Sequence, residues 1–256
     1  MRFKLNLSLT NKNQNILPVN YQYELSAWIY KVINQSDPDF ALWLHEKGFS
    51  NDKKQFRLFT FSNLIVPQRE IIKDRLIIKS DNVGLIISTL PEETIQHFVS
   101  GVFCDREFAI GDQISSVGFK INSIEALQAP DFTDELSFRS LSPLFVSGKV
   151  EGRQYAQHFS PQYEGYLQLL INNLKAKFKV FTGNESIFNV QNAAIELLST
   201  PKQKGITIKA GTPQETKLVG YQYNFKLKAN AELLRMGYYT GFGEKNSMGF
   251  GCCQIS

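Results

Sequence analysis

The sequence predicts an α+β fold made of two βαββαβ units in tandem. Three observations support this prediction: alternating strand patterns stand near both ends of the chain, amphipathic helical patterns lie between them, and one order of elements occurs twice. With 256 residues, 43% of them hydrophobic, the chain can form two globular units of about 125 residues each. We therefore divide it into an N-terminal domain, residues 1–131, and a C-terminal domain, residues 132–256.

The first half contains each element of one βαββαβ unit. Residues 2–9 alternate between polar and apolar side chains, which is typical of a half-buried strand. Apolar residues recur at helical spacing from Tyr21 to Ile33, and Asp37-Pro38 starts a second helix that ends before Gly48. The remaining predicted elements are a strand at 56–64, a hairpin of 75–78 with 83–88, a helix that begins at Pro91 and a strand at 117–124.

The second half repeats this order without a visible sequence repeat. Its helix is predicted over 161–178, with Ser160 as the N-cap, and the alternation of 219–228 is the clearest strand pattern in the chain. The other predicted elements are strands at 136–145 and 206–210, an ambiguous strand at 187–197, a helix at 229–236 and a last strand that ends at Ile255. We expect two ferredoxin-like units, the arrangement also found in RRM domains, with a cleft between their sheets.

Charge and cysteine content narrow the function classes. The net charge of +4 and a pI of about 8.8 permit a polyanionic partner without requiring one. The three cysteines have neither disulfide nor metal-ligand spacing, so we expect no metal and no cofactor. A strand pattern begins at Met1 and no apolar run is long enough to cross a membrane, so we expect a cytoplasmic protein without a signal peptide or a membrane partner.

A glycine-rich stretch near the C-terminus is the strongest local feature. Gly241-Phe242-Gly243 and Gly249-Phe250-Gly251 flank a linker that contains Lys245, Asn246 and Ser247. Glycine permits positive φ and a close approach of other backbone, and the three linker side chains can donate hydrogen bonds to phosphates or base edges. The spacing fits neither a P-loop nor a dinucleotide fingerprint. On composition alone the stretch is equally a ligand-binding loop or a hairpin that ends the domain.

The segment from Tyr238 to Gly251 closely resembles the C-terminal glycine-rich signature of the CRISPR-associated repeat-processing endoribonucleases, which belong to the RAMP superfamily. In the N-terminal half, Met1-Arg2-Phe3, Tyr21-Gln22-Tyr23 and Leu44-His45-Glu46 resemble further motifs of this family, as does the segment 58–62. The resemblance covers nearly the whole chain in order and is weakest in the middle third. It implies tandem ferredoxin-like domains and cleavage of precursor CRISPR RNA within each repeat, without a metal ion.

The resemblance implies an acid–base transesterification, in which the ribose 2′-hydroxyl attacks the adjacent phosphorus and a 2′,3′-cyclic phosphate and a 5′-hydroxyl are formed. This reaction needs a base, an acid and positive charge near the phosphorane. His45 is the predicted base or acid, Tyr30 an acid or hydrogen-bond donor, and Arg57 the stabilising charge. The family commonly has a lysine in the third role, and an arginine braces phosphate oxygens well but donates protons poorly. Lys53 and Lys54 are therefore alternatives to Arg57.

The glycine-rich stretch is then expected to bind RNA, with its backbone amides and linker side chains on the RNA backbone. The predicted RNA-binding residues are Lys53, Lys54, Gly241, Gly243, Lys245, Asn246, Ser247, Gly249 and Gly251. Valine in place of Gly243 or Gly249 is expected to weaken RNA binding more than it lowers the stability of the fold.

The predicted partner is CRISPR repeat RNA, both as precursor and as product. The first alternative is a non-cleaving subunit that holds guide RNA among the other subunits of an effector complex. The second is an unrelated α+β protein that binds a small acidic ligand at the glycine-rich stretch. The sequence does not decide between a monomer and a homodimer.

Overall fold

The computed structural model describes residues 1–50, 54–150, 152, 155–184, 192–208 and 212–256. The elements of the first half are β1 (Arg2–Leu9), β2 (Ile16–Pro18), α1 (Gln22–Ser36), α2 (Pro38–Glu46), β3 (Phe49–Ser50), β4 (Gln55–Phe56), β5 (Phe59–Phe61), β6 (Arg69–Ile72), β7 (Arg75–Ile78), β8 (Asn82–Thr89), α3 (Glu92–Cys104), β9 (Glu107–Gly111) and β10 (Ser116–Ala126). Those of the second half are β11 (Glu135–Ser140), β12 (Ser147–Gly148), β13 (Gln157–His158), α4 (Tyr166–Thr182), β14 (Ala194–Leu197), β15 (Lys202–Ile208), β16 (Thr216–Gln222), β17 (Asn224–Lys228), α5 (Ala231–Thr240) and β18 (Cys253–Ile255). One 3-10 turn, Asn246–Met248, lies between α5 and β18.

The N-terminal sheet has the strand order β5-β8-β1-β10-β9, and each neighbouring pair is antiparallel. In order along the chain, β1, β5, β8 and β10 occupy the four strand positions of a βαββαβ unit, and β9 is added at one edge. The alternation of β1 places Leu5 and Leu7 in the core, fully buried. Helices α1 and α3 pack together, and Trp28 of α1 stacks on Phe108 with ring centroids 3.9 Å apart.

The C-terminal sheet has the order β14-β17-β11-β18 and joins α4 and α5 in a second βαββαβ unit. Its core is built around Phe138 and Phe225, whose rings are 5.4 Å apart. Phe242, the central residue of the first Gly-Phe-Gly step, is fully buried with its ring 4.8 Å from that of Phe138. The predicted α+β fold of two tandem ferredoxin-like domains is thereby confirmed.

Two predicted elements of the first half are wrong in their pairing or length. β7 pairs with β2 and β6 in a separate three-stranded sheet, whereas β8 lies between β1 and β5, so 75–78 and 83–88 form no hairpin. The strand predicted at 56–64 is interrupted at Leu58, whose φ of 52° is left-handed. A left-handed residue cannot continue a strand.

Three predicted elements of the second half also differ. The helix predicted from 161 begins at Tyr166, because the Ser160 hydroxyl and carbonyl accept hydrogen bonds from the amides of Gln162 and Tyr163 and hold 160–163 in a turn. The strand predicted at 219–228 is divided at Tyr223, whose amide donates to the Ser140 hydroxyl at 2.9 Å. Of the ambiguous stretch 187–197, only β14 is a described strand, and residues 187–191 lie outside the described residues.

Buried polar contacts hold the two units together. The Arg2 guanidinium of β1 donates to the Tyr238 carbonyl at 2.6 Å and lies 3.6 Å from the centroid of the Tyr238 ring. The Thr60 hydroxyl of β5 donates to the Phe250 carbonyl at 2.9 Å, and this hydrogen bond is also buried. These contacts join the N-terminal sheet to both ends of the glycine-rich stretch, so that α1 faces the segment between them.

Candidate functional site

A cavity of about 690 Å³ lies between the two units. We call its two sides the N-terminal wall and the C-terminal wall. The polar and aromatic residues of the N-terminal wall are Tyr23, Ser26, Tyr30, His45, Lys54 and Arg57. Those of the C-terminal wall are Asn173, Lys177, Glu244, Lys245, Asn246 and Ser247. The volume is in the usual range of sites that enclose an organic ligand.

Tyr30 and His45 meet on the N-terminal wall. Tyr30 lies on α1 and His45 in the last turn of α2, and their ring centroids are 5.2 Å apart in an edge-to-face arrangement. Tyr30 is half-buried because its ring also packs against Phe59 at 5.6 Å, whereas His45 is exposed. Asp37 fixes the start of α2, since its carboxylate accepts from the Phe40 amide at 2.8 Å. The two predicted catalytic side chains therefore lie side by side at the cavity.

Arg57 joins this pair from the segment between β4 and β5. Its guanidinium donates a hydrogen bond to the His45 carbonyl, and its charge lowers the pKa of the nearby Tyr30 phenol in part. The next residue, Leu58, is buried in the left-handed conformation, and its carbonyl accepts from the Thr89 hydroxyl at 3.1 Å. A left-handed bulky residue costs about 1–2 kcal/mol and persists only where its surroundings hold it. This held backbone places Arg57 at the cavity mouth.

Ser26 connects the two walls, since its hydroxyl donates to the Ser247 carbonyl at 2.6 Å. The Tyr30 hydroxyl lies near Ser247 and Arg57. Burial raises the pKa of Tyr30, while Ser247 and the Arg57 charge lower it in part. The phenol therefore keeps its proton at neutral pH and can donate it.

Lys177 is the centre of the C-terminal wall and was missed by sequence reasoning. Its ammonium is fully buried and donates to the carbonyls of Gly241 and Gly243, at 2.6 and 2.9 Å, and to the Asn246 side-chain carbonyl at 2.7 Å. Burial lowers the pKa of Lys177 to about 7, and the Glu244 charge acts against that shift. Only the protonated amine has three N–H donors for three acceptors, so these hydrogen bonds oppose the loss of the proton. The available signal was its spacing, since Leu170, Leu174 and Lys177 share one helical stripe.

Asn246 fastens the two Gly-Phe-Gly steps to each other. Its side-chain amide donates to the carbonyls of Phe242 and Phe250, at 3.3 and 3.0 Å, while its carbonyl accepts from Lys177. Asn246 is buried, so its hydrogen bonds are all made inside the fold. Exposed Lys245 and half-buried Ser247, its neighbours in the chain, face the cavity.

The four predicted RNA-binding glycines are buried at positive φ. A Cβ would lie 2.4 Å from the Asn246 amide nitrogen at Gly241, 2.4 Å from the Phe145 carbonyl at Gly243, 2.8 Å from the Phe61 ring at Gly249 and 2.0 Å from the Phe242 carbonyl at Gly251. The glycines therefore let the loop pack on itself and on both units. The expectation that valine at Gly243 or Gly249 would lower RNA affinity much more than stability disagrees with this packing, because either substitution would disturb the fold. RNA contact through these residues stays a prediction.

Of the two lysines predicted as alternatives to Arg57, the structure describes one. Lys54 is exposed and lines the cavity, whereas Lys53 lies outside the described residues. Within the described ranges, no three His, Cys, Asp or Glu side chains form a group that could hold a metal ion. No helix in that same part of the chain is long and apolar enough to span a membrane.

Comparison with known proteins identifies the family. Residues 16–124 match the family model for the N-terminal part of CRISPR-associated protein Cas6, and residues 127–255 match the model for its C-terminal part. The chain is 28% identical to the CRISPR-associated endoribonuclease Cas6 1 of Methanocaldococcus jannaschii, over 97% of this chain and 91% of that protein. It is 31% identical to the CRISPR-associated endoribonuclease-like protein Cas6nc of Pyrococcus horikoshii, over 100% of this chain and 99% of that protein.

Solved structures agree with the sequence comparisons. The structure of a Cas6-related protein from Pyrococcus furiosus superposes with a TM-score of 0.85 at 28% identity, and covers 100% of this chain and 98% of that one. A structure described as an RAMP protein binding different RNA substrates has a TM-score of 0.84 at 28% identity, with 100% and 99% coverage. The family predicted from the glycine-rich signature is confirmed, and the chain belongs to the Cas6 family of CRISPR-associated repeat-processing proteins.

Proposed function

We propose that the chain is an endoribonuclease that cleaves precursor CRISPR RNA within the repeat and so produces mature guide RNAs. Two Cas6 relatives that match 97% and 100% of this chain are named as CRISPR-associated endoribonucleases. The observation that carries the proposal is the arrangement of Tyr30, His45 and Arg57. They come from α1, α2 and the β4–β5 segment, and they surround the mouth of one cavity.

The proposed reaction uses side chains alone, without a metal ion. His45 removes the proton of the ribose 2′-hydroxyl, and the 2′-oxygen forms a bond to the adjacent phosphorus. The bond from phosphorus to the 5′-oxygen breaks as the Tyr30 hydroxyl protonates that oxygen. Tyr30 then recovers a proton from protonated His45, so both groups return to their starting states. The products are a 2′,3′-cyclic phosphate and a 5′-hydroxyl.

Positive charge near the phosphorane stabilises the transition state of this reaction. Arg57 can brace two phosphate oxygens in a bidentate manner, and Lys54 adds a second charge at the same cavity. In this proposal residues 1–131 cut the RNA, and residues 132–256 bind it through Lys245 and Ser247. The reaction takes place in the cytoplasm.

The test is incubation of the protein with end-labelled repeat RNA, synthesised from a CRISPR array of the source genome, in the presence of EDTA. We expect one cut in the repeat, a cyclic phosphate on the upstream product, and loss of cleavage when the scissile nucleotide carries a 2′-deoxyribose. Cleavage that stops in EDTA, or continues with the deoxy substrate, would contradict the mechanism.

A second candidate function is a non-cleaving subunit that holds guide RNA in an effector complex. It is favoured by the arginine that replaces the expected lysine in the third catalytic role. Tight, salt-dependent binding with intact RNA in the same assay would support this alternative. Absence of RNA binding would exclude both.

A further inference from the structure

Two buried polar side chains stand one turn apart on α4 and differ in their hydrogen bonds. Lys177 uses all three of its N–H donors on the glycine-rich loop. Asn173, 3% exposed, has no hydrogen-bond partner for either amide atom within the described part of the chain. The hydrogen bonds to the loop therefore explain the buried lysine at 177, whereas no contact within the described fold explains the buried asparagine at 173.

An unpartnered buried amide is unusual, because each unsatisfied polar atom lowers the stability of the folded state. Asn173 lies on the core-facing stripe of α4, next to fully buried Leu174 and one turn after fully buried Leu170. A leucine at position 173 would fit such a stripe without this cost. The asparagine is therefore a residue that the fold tolerates without needing it.

Asn173 also lines the cavity between the two units, on the wall opposite Tyr30. Both amide atoms are buried, so a ligand contacts them when neighbouring side chains change rotamer, as is common on binding. An amide presents a donor and an acceptor side by side. Phosphate oxygens are acceptors only, whereas the edge of a nucleobase carries a donor next to an acceptor and pairs with asparagine in a bidentate manner. The half-buried Tyr23 of the facing wall offers an aromatic ring to the same space.

We propose that Asn173 reads the edge of one nucleobase of the bound RNA, so that the cavity is a base-specific subsite beside the catalytic residues. The inference rests on the proposed function, since it takes repeat RNA as the ligand. Asn173 is then a specificity-determining residue on the C-terminal wall. It lies on α4 one turn before Lys177, which anchors the loop.

The test compares Asn173→Leu with the matched control Asn172→Leu, the exposed neighbour on α4. Because leucine removes the unpartnered amide, we expect the midpoint of thermal unfolding of Asn173→Leu to rise by about 2–4 °C. We expect its affinity for repeat RNA, made uncleavable by a 2′-deoxy scissile nucleotide, to fall by about tenfold or more. The control is expected to bind RNA like the parent protein.

A set of uncleavable repeat RNAs, each with one abasic nucleotide near the scissile position, identifies the base. We expect one abasic position to weaken binding by the parent protein. The same position should make no difference to binding by Asn173→Leu, because the missing base and the missing amide are the two partners of one contact. A coupled pair of this kind supports the subsite. Equal sensitivity of the two proteins at every position would overturn it.

A lower unfolding midpoint for Asn173→Leu would also overturn the proposal, because it would mean that the amide has a partner inside the protein. A parent protein that binds and cleaves repeat RNA, with Asn173→Leu unchanged in affinity, would refute the subsite and leave the proposed function standing. A parent protein that neither binds nor cleaves repeat RNA would refute both.

Discussion

The predicted catalytic residues of the N-terminal wall have exposed or half-buried side chains. His45 is exposed there, and Tyr30 and Arg57 are half-buried. On the C-terminal wall, Lys177 and Asn246 are buried and joined to each other and to the carbonyls of the glycine-rich loop. The two walls touch where the Ser26 hydroxyl donates to the Ser247 carbonyl.

Under the proposed mechanism, this difference follows from the task of each wall. Proton transfer needs groups that reach the RNA and titrate, and a deeply buried histidine would lose its charged form. A loop that presents Lys245 and Ser247 needs a fixed shape, and buried, fully satisfied hydrogen bonds provide it. Changes on the N-terminal wall should therefore reduce chemistry and spare the fold, while changes on the C-terminal wall should reduce both.

His45→Ala is expected to have the largest effect on chemistry. Loss of an acid–base group lowers the cleavage rate by about a hundredfold to ten thousandfold. Because the side chain is exposed, the midpoint of unfolding and the affinity for uncleavable repeat RNA should stay near those of the parent protein. Single-turnover cleavage and gel-shift titration measure these quantities. His158→Ala is the control, since His158 is exposed and packs on Phe145 outside the cavity. Undiminished cleavage by His45→Ala would remove His45 from the mechanism.

Lys177→Met tests the C-terminal wall. It removes three buried hydrogen bonds and leaves their acceptors without that donor, so we expect the free energy of unfolding to fall by about 2–4 kcal/mol. Cleavage should fall with it, because Ser247 loses its fixed position. Lys179→Met, an exposed lysine on the same helix, is the control, and chemical denaturation measures both. Equal stabilities of the two variants would show that Lys177 does not hold the loop.

The pH dependence of stability, compared between the parent protein and Lys177→Met, tests the ionisation of Lys177. The pKa of this side chain is lowered from 10.5 to about 7 in the fold, so between these values an unfolded chain binds a proton that the folded chain lacks. Stability therefore rises with pH in this window, and the advantage of the parent protein over Lys177→Met should grow from pH 7 to pH 10. A constant advantage would mean that the three acceptors keep the ammonium protonated.

Gly243→Ala and Gly183→Ala separate close packing from backbone strain. Both glycines are left-handed, with φ of 73° and 68°, but a Cβ at Gly243 lies 2.4 Å from the Phe145 carbonyl and one at Gly183 has nothing within 4 Å. We expect Gly183→Ala to cost about 1 kcal/mol of stability and Gly243→Ala about 3 kcal/mol. Thermal unfolding measures the difference. Equal losses would mean that the loop moves to make room for the methyl group.

The sequence predicted best those elements in which the spacing of the apolar residues matches the pattern of buried residues. The alternation of β1 and the apolar stripe of α1 both describe one buried face, so their positions follow from spacing. Pairing partners were harder, because β7 and β8 are adjacent in sequence but belong to different sheets. That choice depends on long-range contacts with β1 and β2, which local patterns do not contain.

The residues of the candidate site also fall into those that the sequence predicted and those that it did not. Tyr30, His45 and Arg57 were predicted from a family resemblance, since their residue types suit the chemistry, and the structure places them at one cavity. Lys177 and Asn173 were missed, because a polar residue inside an amphipathic pattern is normally assigned to the solvent face. The burial of Lys177 depends on the loop that it binds, 64 residues later in the chain.

Tyr30→Phe has the smallest expected effect and tests the proposed acid. Phenylalanine keeps the ring against His45 and Phe59 and removes only the hydroxyl, which lies beside Ser247 and Arg57. We expect the single-turnover rate to fall by about tenfold to a hundredfold, with RNA affinity and stability nearly unchanged. Tyr23→Phe is the control, because Tyr23 lines the same cavity two turns earlier on α1. If both variants cleave at the parent rate, the Tyr30 hydroxyl takes no part in proton transfer. In that case the role of the ring is confined to packing against His45.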